Sequence, residues 1–435
     1  MTDNLQIGAW LPNEWGRTFT ENEKSLIADS EIDLLLVPEN HDQWANRRRW
    51  KQLADDLDVA LYAGFEDGEW IRGIFYDPTT ETDFTYTKHS TAGRLALEQD
   101  DWNPTTALRT TEFRGTTVGT TICHDQYISP FMGYESLVGA SLLVNLSARP
   151  VVPKKWGEVL QARAIENGAY VVCTMHGTEP DGSTKQGNKA HVFAFDPFGE
   201  PLRLTELATG DRRGVFETTP DNIYTFEADQ KQAVEARRTL TDQEARPSIT
   251  RIQDSTSESG TLSDPWVGVK ADYPHLRITY NGDSIEIVEF ESQSITLKDE
   301  MFYLAAIEGK DILKPEQLYR DLLQVTDIEN KRILLFNHWS DLNSQYHRNV
   351  VEPVLRARCV EWASPAILVA PEIESAYQAW YAKNTSRMLP DSDGQYRFYL
   401  YAARGVSSAF EPVHHETEKL AHLASVCKSQ RIESD

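Results

Sequence analysis

The feature that most constrains this chain is a set of continuous apolar runs, each short and each closed by turn residues. "IDLLLVPEN" (32–40) ends in Pro-Glu-Asn, and "SLLVNLSA" (141–148) and "AYVVCTMHG" (169–177) read the same way. A run that is apolar at every position, not at alternate ones, belongs to a strand covered on both faces. Between these strands lie helical stretches: "TENEKSLIADS", "NRRRWKQLADDL", "YESLVGA" and "PKKWGEVLQARAIENG" (153–168), the last with Gly168 at its expected C-cap. Further strands are expected at 5–12, 59–65, 69–77, 83–90, 115–123, 190–201 and 222–229, followed by a helix in "QKQAVEARRTL". Such alternation over roughly the first 240 residues describes a layered α/β domain and excludes an all-α or all-β one.

Composition then shifts. "RPSITRIQDSTSESGTLSDPW" (246–266) offers almost nothing to bury and reads as a linker. This divides the chain into 1–245, a linker at 246–266, and an accessory domain at 267–435. The last part has a hairpin signal at Asn281-Gly282 within "HLRITYNGDSIEIVEF". Helices are expected in "KDEMFYLAAIEG", "PEQLYRDLL", "VVEPVLRARCVEW" and "HHETEKLAHLASVC", and strands in "KRILLFNHW", "PAILVAPE" and "QYRFYLYAARG". It reads as a smaller α/β module with a winged-helix-like opening, but no basic recognition helix follows. Adjacent histidines at 414 and 415 read as a helix start, not as metal ligands.

Charge and cysteine usage narrow the function classes. Sixty-seven acidic residues against 43 basic give a formal net charge of −24, a field that repels phosphate backbones and anionic lipid. A salty habitat accounts for that charge equally well. No stretch approaches the roughly 20 apolar residues that span a bilayer, and the start lacks the basic and apolar regions of a signal peptide. Four cysteines, at 123, 173, 359 and 427, show no Cys-x-x-Cys spacing. The expectation is a cytoplasmic protein with free thiols, without metal, membrane or nucleic-acid partner.

Three polar residues end strands in the first domain: Glu39, Lys88 and Cys123. Strand ends of a parallel or mixed sheet converge on one rim. Taken alone, Cys123 is a packed thiol, Glu39 a loop acid and Lys88 a strand-end charge. Together they form a set for acyl transfer. A carboxylate takes the thiol proton and returns it to the leaving amine. An ammonium and a backbone N–H, here that of His124, hold the oxyanion. Cys173 reads as core, and Arg163 with Glu166 as a structural ion pair or helix contact.

The same residues carry a resemblance. "DLLLVPEN", "FTYTKHS", "GTTICHDQYISP", "GASLLVNLSA", "WGEVLQARAIENGAYVV" and "GNKAHVFAFDPFGEP" resemble, in order, the segments of the nitrilase superfamily of carbon–nitrogen hydrolases. The resemblance implies an α-β-β-α sandwich, a homodimer or higher homo-oligomer, and a cofactor-free cysteine hydrolase or acyltransferase. It places the family's glutamate on Glu39, its lysine on Lys88 and its nucleophile on Cys123, with Glu98 as the candidate for a second glutamate often found after the lysine. Cys-His-Asp replaces the commoner Cys-Tyr-Asp, and the Cys-Trp-Glu of nitrile-active members is missing. Small amides or carbamoyl compounds are therefore the expected substrates. "QYISPF" stands where the family often has Arg-Phe-Pro-Glu. "VNLSARP" resembles the strand of glutaminase domains fused to NAD synthetase, yet the Ser-Gly-Gly-rich motif of that partner is absent downstream. Two other readings stay open: a ligand-sensing or regulatory protein with the C-terminal domain as output, and an acyltransferase that forms amides.

Overall fold

The computed structural model describes residues 4–241 apart from 69, 90–108, 128, 149–152 and 177–190. Beyond 241 it describes 249–251, 270–273, 276–280, 284–288, 294–298, 302–313, 332–338, 346, 350–361, 366–371, 387–390 and 396–401. The chain divides into two compact units with the boundary at Gln243/Glu244.

Two sheets form the first unit. The larger contains β1 (Asn4–Leu11), β2 (Leu34–Gln43), β3 (Ala60–Asp67), β4 (Trp70–Asp77), β5 (Thr82–Thr87), β11 (Leu204–Glu206), β12 (Arg212–Arg213) and β13 (Asn222–Asp229), in the order β12-β11-β13-β1-β2-β3-β4-β5. The smaller contains β6 (Arg109–Phe113), β7 (Thr116–Ile122), β8 (Leu142–Ser147), β9 (Tyr170–Met175) and β10 (His191–Phe195), in the order β10-β9-β8-β7-β6. Each has a parallel core: β1, β2 and β3 in one, β7, β8 and β9 in the other.

The apolar runs are buried on both faces for a simple reason. One face of each sheet meets the other sheet, through a core that includes Ile7, Leu36, Tyr62, Phe75, Val118, Val144 and Val172. The outer face of the larger sheet is covered by α1 (Glu21–Ala28) and α2 (Arg47–Leu57), which pack Ile27, Trp50 and Leu53 against Leu35, Val37 and Leu61. Helices α3 (Ser129–Leu137) and α4 (Pro153–Asn167) lie against β7, β9 and β10 on the smaller sheet. The layers therefore run helix, sheet, sheet, helix.

Local signals explain the element ends. Thr20 and Glu23 form a reciprocal capping box at the start of α1. Gly168, just past α4, has φ +54°, the left-handed conformation expected of a C-terminal glycine. Helix α3 starts at Ser129, earlier than "YESLVGA" suggested, and the helix expected after β13, α5, spans Gln230–Thr241. Strands β6, β11 and β12 were not anticipated; they are short and polar, without a marked apolar pattern.

The second unit holds two sheets. The four-stranded one is an antiparallel meander of β15 (Lys270–Tyr273), β16 (Leu276–Tyr280), β17 (Ser284–Val288) and β18 (Ser294–Lys298), and it includes the expected hairpin. The other contains β14 (Ile249–Arg251), β19 (Phe302–Glu308), β20 (Arg332–His338), β21 (Ala366–Pro371), β22 (Arg387–Pro390) and β23 (Tyr396–Tyr401), in the order β14-β19-β20-β21-β23-β22. Helix α6 covers Glu352–Glu361. One expectation needs correction. "KDEMFYLAAIEG" read as a helix, but Phe302–Glu308 is a strand whose every residue pairs with β20. Seven apolar or small residues in a row fit a buried strand as well as a short helix, and the sheet decides. Ile249–Arg251, inside the stretch read as a linker, pairs with β19. "PEQLYRDLL" and His414-His415 lie outside the described residues.

Candidate active site

The site draws on both sheets. Glu39 lies in β2 and Lys88 directly follows β5 in the larger sheet; Cys123 directly follows β7 in the smaller. All three are buried, at 1%, 4% and 4% exposure. Lys88 Nζ donates to Glu39 Oε1 at 2.7 Å, and the N–H of Ala148, just past β8, donates to Glu39 Oε2 at 2.8 Å. Both carboxylate oxygens are thus held, one by each sheet.

Glu39 reaches this position through an irregularity. The β2–β3 pairing is regular up to Val37↔Ala63 and resumes at Asp42↔Phe65, so residues 38–41 bulge opposite Gly64. Asn40 takes φ +55° within the bulge. Gly64 allows the close approach, because a Cβ there would sit 2.5 Å from Glu39 Cα and 2.6 Å from the Pro38 carbonyl oxygen.

Cys123 is also in an unusual conformation. Its φ is +52°, left-handed although the residue carries a Cβ, and it opens a 3₁₀ turn over Cys123–Tyr127. Such a conformation persists only where its surroundings over-determine it, and it lifts the side chain out of the strand. The sulfur lies 3.8 Å from His124 Nδ1. Burial pushes the Cys123 thiol up, and the neighbouring Glu39 charge adds to this; the Lys88 ammonium opposes both without prevailing. Burial would by itself lower the Lys88 pKa, but the charge and hydrogen bond of Glu39 act against it and the value is raised, so the ammonium persists. At rest the sulfur carries its proton, and it needs a base to become a nucleophile.

Asp125 ties the two halves together. Its Oδ2 accepts from the Tyr86 hydroxyl at 2.7 Å and from the His89 N–H at 3.2 Å, and Tyr86 Oη lies 3.0 Å from His89 Nδ1. Tyr86 and His89 flank Lys88, so one carboxylate two residues after Cys123 fixes the lysine segment to the cysteine turn. Arg163 Nε donates to the Gln126 carbonyl at 2.7 Å and the same guanidinium pairs with Glu166, so the expected ion pair also braces this turn. Behind β7, the Thr120 N–H donates to Glu135 Oε1 at 3.0 Å; burial pushes the Glu135 carboxyl well above its ordinary range.

A second cluster lies two residues beyond Glu39. His41 Nε2 is 2.8 Å from the Arg17 carbonyl, which can only accept, so that nitrogen carries the hydrogen. The neutral ring then leaves Nδ1 bare, and His176 Nε2–H donates to it at 3.2 Å. Trp15 stacks on His176 with centroids 4.5 Å apart. Burial holds His41 down at about 4, and burial with the neighbouring His41 holds His176 well below the ordinary histidine value.

The structure therefore brings Glu39, Lys88, Cys123 and His124 to one place. Glu98 lies outside the described residues. Ala148, Asp125 and the His41–His176 pair were not foreseen. Only Asp125 had a signal, its place two residues after the cysteine. No cluster of three or more metal-ligating side chains occurs among the described residues, and no helix there is long and apolar enough to cross a membrane.

Residues 21–200, somewhat less than half the chain, match the model of the carbon-nitrogen hydrolase family. The matched residues lie within the first unit. No curated protein matches the chain. Among solved structures, a carbon-nitrogen hydrolase from Helicobacter pylori G27 is similar at 16% identity and TM-score 0.42, over 56% of this chain and 96% of that one. Saccharomyces cerevisiae Nit3, a member of branch 10 of the superfamily, gives 16%, 0.43, 56% and 96%. An amidase from Nesterenkonia sp. gives 19%, 0.41, 55% and 95%.

Proposed function

We propose that the hydrolase domain cleaves a small amide or carbamoyl compound through a thioester on Cys123. Glu39 takes the thiol proton as the sulfur adds to the carbonyl carbon. The negative oxygen of the tetrahedral adduct is met by the Lys88 ammonium and the His124 N–H. Glu39 returns the proton to the nitrogen as the C–N bond breaks, so ammonia or an amine leaves. Water then attacks the thioester. Glu39 accepts a proton from that water, and the carboxylic acid or carbamate departs as the thiol is restored.

The observation that carries this reading is the 2.7 Å Lys88–Glu39 contact, buried beside a cysteine in a left-handed turn. The raised thiol supports general-base activation over a standing thiolate. Its test is turnover of a panel of small amides and carbamoyl compounds by the full chain and by Cys123→Ala. Ammonia or amine release should vanish in the variant, and equal rates would end the reading.

A further inference from the structure

We propose that Asn145 is a positioning residue that aims the His124 N–H at the reacting oxygen, acting through the rigid peptide between Cys123 and His124. This rests on the acyl-transfer reading above.

Asn145 lies in β8, directly opposite Thr121 of β7 on one side and Cys173 of β9 on the other. It is fully buried, as are Thr121, Ser147 and Cys173. Its Nδ2 donates to the Cys123 carbonyl at 3.2 Å and to Thr121 Oγ1 at 3.0 Å. Its Oδ1 accepts from Ser147 Oγ at 2.9 Å and from Cys173 Sγ at 3.4 Å. The orientation of the amide follows from these partners. A backbone carbonyl can only accept, so the nitrogen end must face Cys123. Thr121 gives its own hydrogen to the Val144 carbonyl at 3.3 Å and is an acceptor toward Asn145. Burial keeps the Cys173 thiol protonated, with its pKa at about 12, so it can donate. Both amide hydrogens are engaged and Oδ1 accepts from Ser147, while the single Cys173 hydrogen is shared between Asn145 Oδ1 and Ser147 Oγ, 3.5 Å from the sulfur.

The carbonyl so held is that of the residue at φ +52°, immediately past Ile122, the last residue of β7 to pair with β8. The peptide linking Cys123 to His124 is planar, and in a trans peptide the C=O and the following N–H point in opposite directions. Pinning the oxygen therefore fixes where the hydrogen points. A donor on the oxygen also polarises the peptide and strengthens its N–H. Asn145 need not touch substrate to act. Cys173, which reads as an ordinary core thiol, takes a part in this as a donor that keeps the amide from turning over.

The test separates attack on a carbonyl, which builds an oxyanion, from attack on a saturated carbon, which does not. The full chain is treated with 4-nitrophenyl acetate or with iodoacetamide. In the first, sulfur bonds to the acetyl carbon, nitrophenolate leaves and the thiol proton passes to Glu39. In the second, sulfur bonds to the methylene carbon and displaces iodide, the thiol proton again passes to Glu39, and no oxyanion forms. Mass spectrometry locates each product on Cys123.

Loss of an oxyanion donor costs roughly a hundred- to a thousandfold, and a misdirected donor should cost part of that. Asn145→Ala is expected to slow acetylation about tenfold or more while alkylation stays within about twofold. Cys173→Ala should lower the acetylation-to-alkylation ratio less, and Cys173→Ser, which keeps a donor, should restore it. The proposal is overturned if the ratio is unchanged in Asn145→Ala, or if both rates fall together, since Asn145 would then merely hold the nucleophile. Should Asn145→Ala fail to fold, an unchanged ratio in Cys173→Ala overturns it. A wild-type chain that never acetylates Cys123 removes the acyl-transfer reading, and the proposal with it. Acetylated wild type with an unchanged ratio in the variants removes the anchor alone.

Discussion

Gly64→Ala tests whether the bulge that carries Glu39 depends on the missing side chain opposite it. An ideal Cβ at this position meets Glu39 Cα at 2.5 Å, the Pro38 oxygen at 2.6 Å and Asn40 N at 2.9 Å. All three are backbone atoms, so no rotamer change relieves the overlap. Bringing these contacts out to ordinary van der Waals separation, near 3.5 Å, requires β2 and β3 to part locally by about 1 Å. Overpacking of this kind costs typically 1–3 kcal/mol, and a rigid backbone neighbour places it near the upper end. For a unit of this size each kcal/mol lowers the melting midpoint by about 2–4 °C, so a fall of roughly 6–12 °C is expected. Turnover should fall further than stability alone dictates, since a misplacement of about 1 Å in a catalytic group can cost about a hundredfold. Thermal unfolding of the full chain and kcat for a turned-over amide are the two measurements. Gly210→Ala is the control: its φ is +74° and a Cβ there meets nothing within 4 Å, so it adds backbone strain without a clash. A Gly64→Ala chain that melts with the wild type and keeps its kcat refutes the steric account of the bulge.

Two other outcomes are expected. Glu39→Gln leaves the Lys88 ammonium buried without its anion, which should destabilise the unit by about 3–5 kcal/mol; the double variant with Lys88→Met should recover much of that in urea unfolding while remaining inactive. The His41 ring has its pKa depressed to about 4 by burial, so its contribution to stability is present above the unfolded value near 6.5 and is lost as pH falls through about 4. That loss amounts to about 3 kcal/mol for this one group. Melting midpoints between pH 7 and pH 4 should fall less steeply in His41→Asn than in the wild type, and equal slopes would count against the buried neutral pair.

Much of the site was legible because its members carry chemistry at strand ends. Glu39, Lys88 and Cys123 are each a polar residue where an extended run stops, and their order along the chain matches a family pattern. What could not be read were the groups that act through backbone atoms or through partners distant in sequence. The Ala148 N–H has no side-chain signature, and its value depends on Glu39, more than a hundred positions earlier. Asn145 looks like a polar intrusion in "SLLVNLSA", and only the parallel register with Thr121 and Cys173 gives it a purpose. His41 and His176 meet through tertiary contact alone. In the fold, long apolar runs and capped helices were read within a few residues, while "KDEMFYLAAIEG" went to the sheet because pairing with β20 on one edge and β14 on the other outweighs helix propensity.

Because the acid and the cation ride on one sheet and the sulfur on the other, the side chains filling the gap between the sheets act as a spacer for the proposed reaction. Tyr62 and Phe75 on one wall, with Val118 and Val144 on the other, set how far Glu39 stands from the Cys123 thiol. Thinning that filling would let the two walls settle closer or slide, and the chemistry would register the change while the chain still folds.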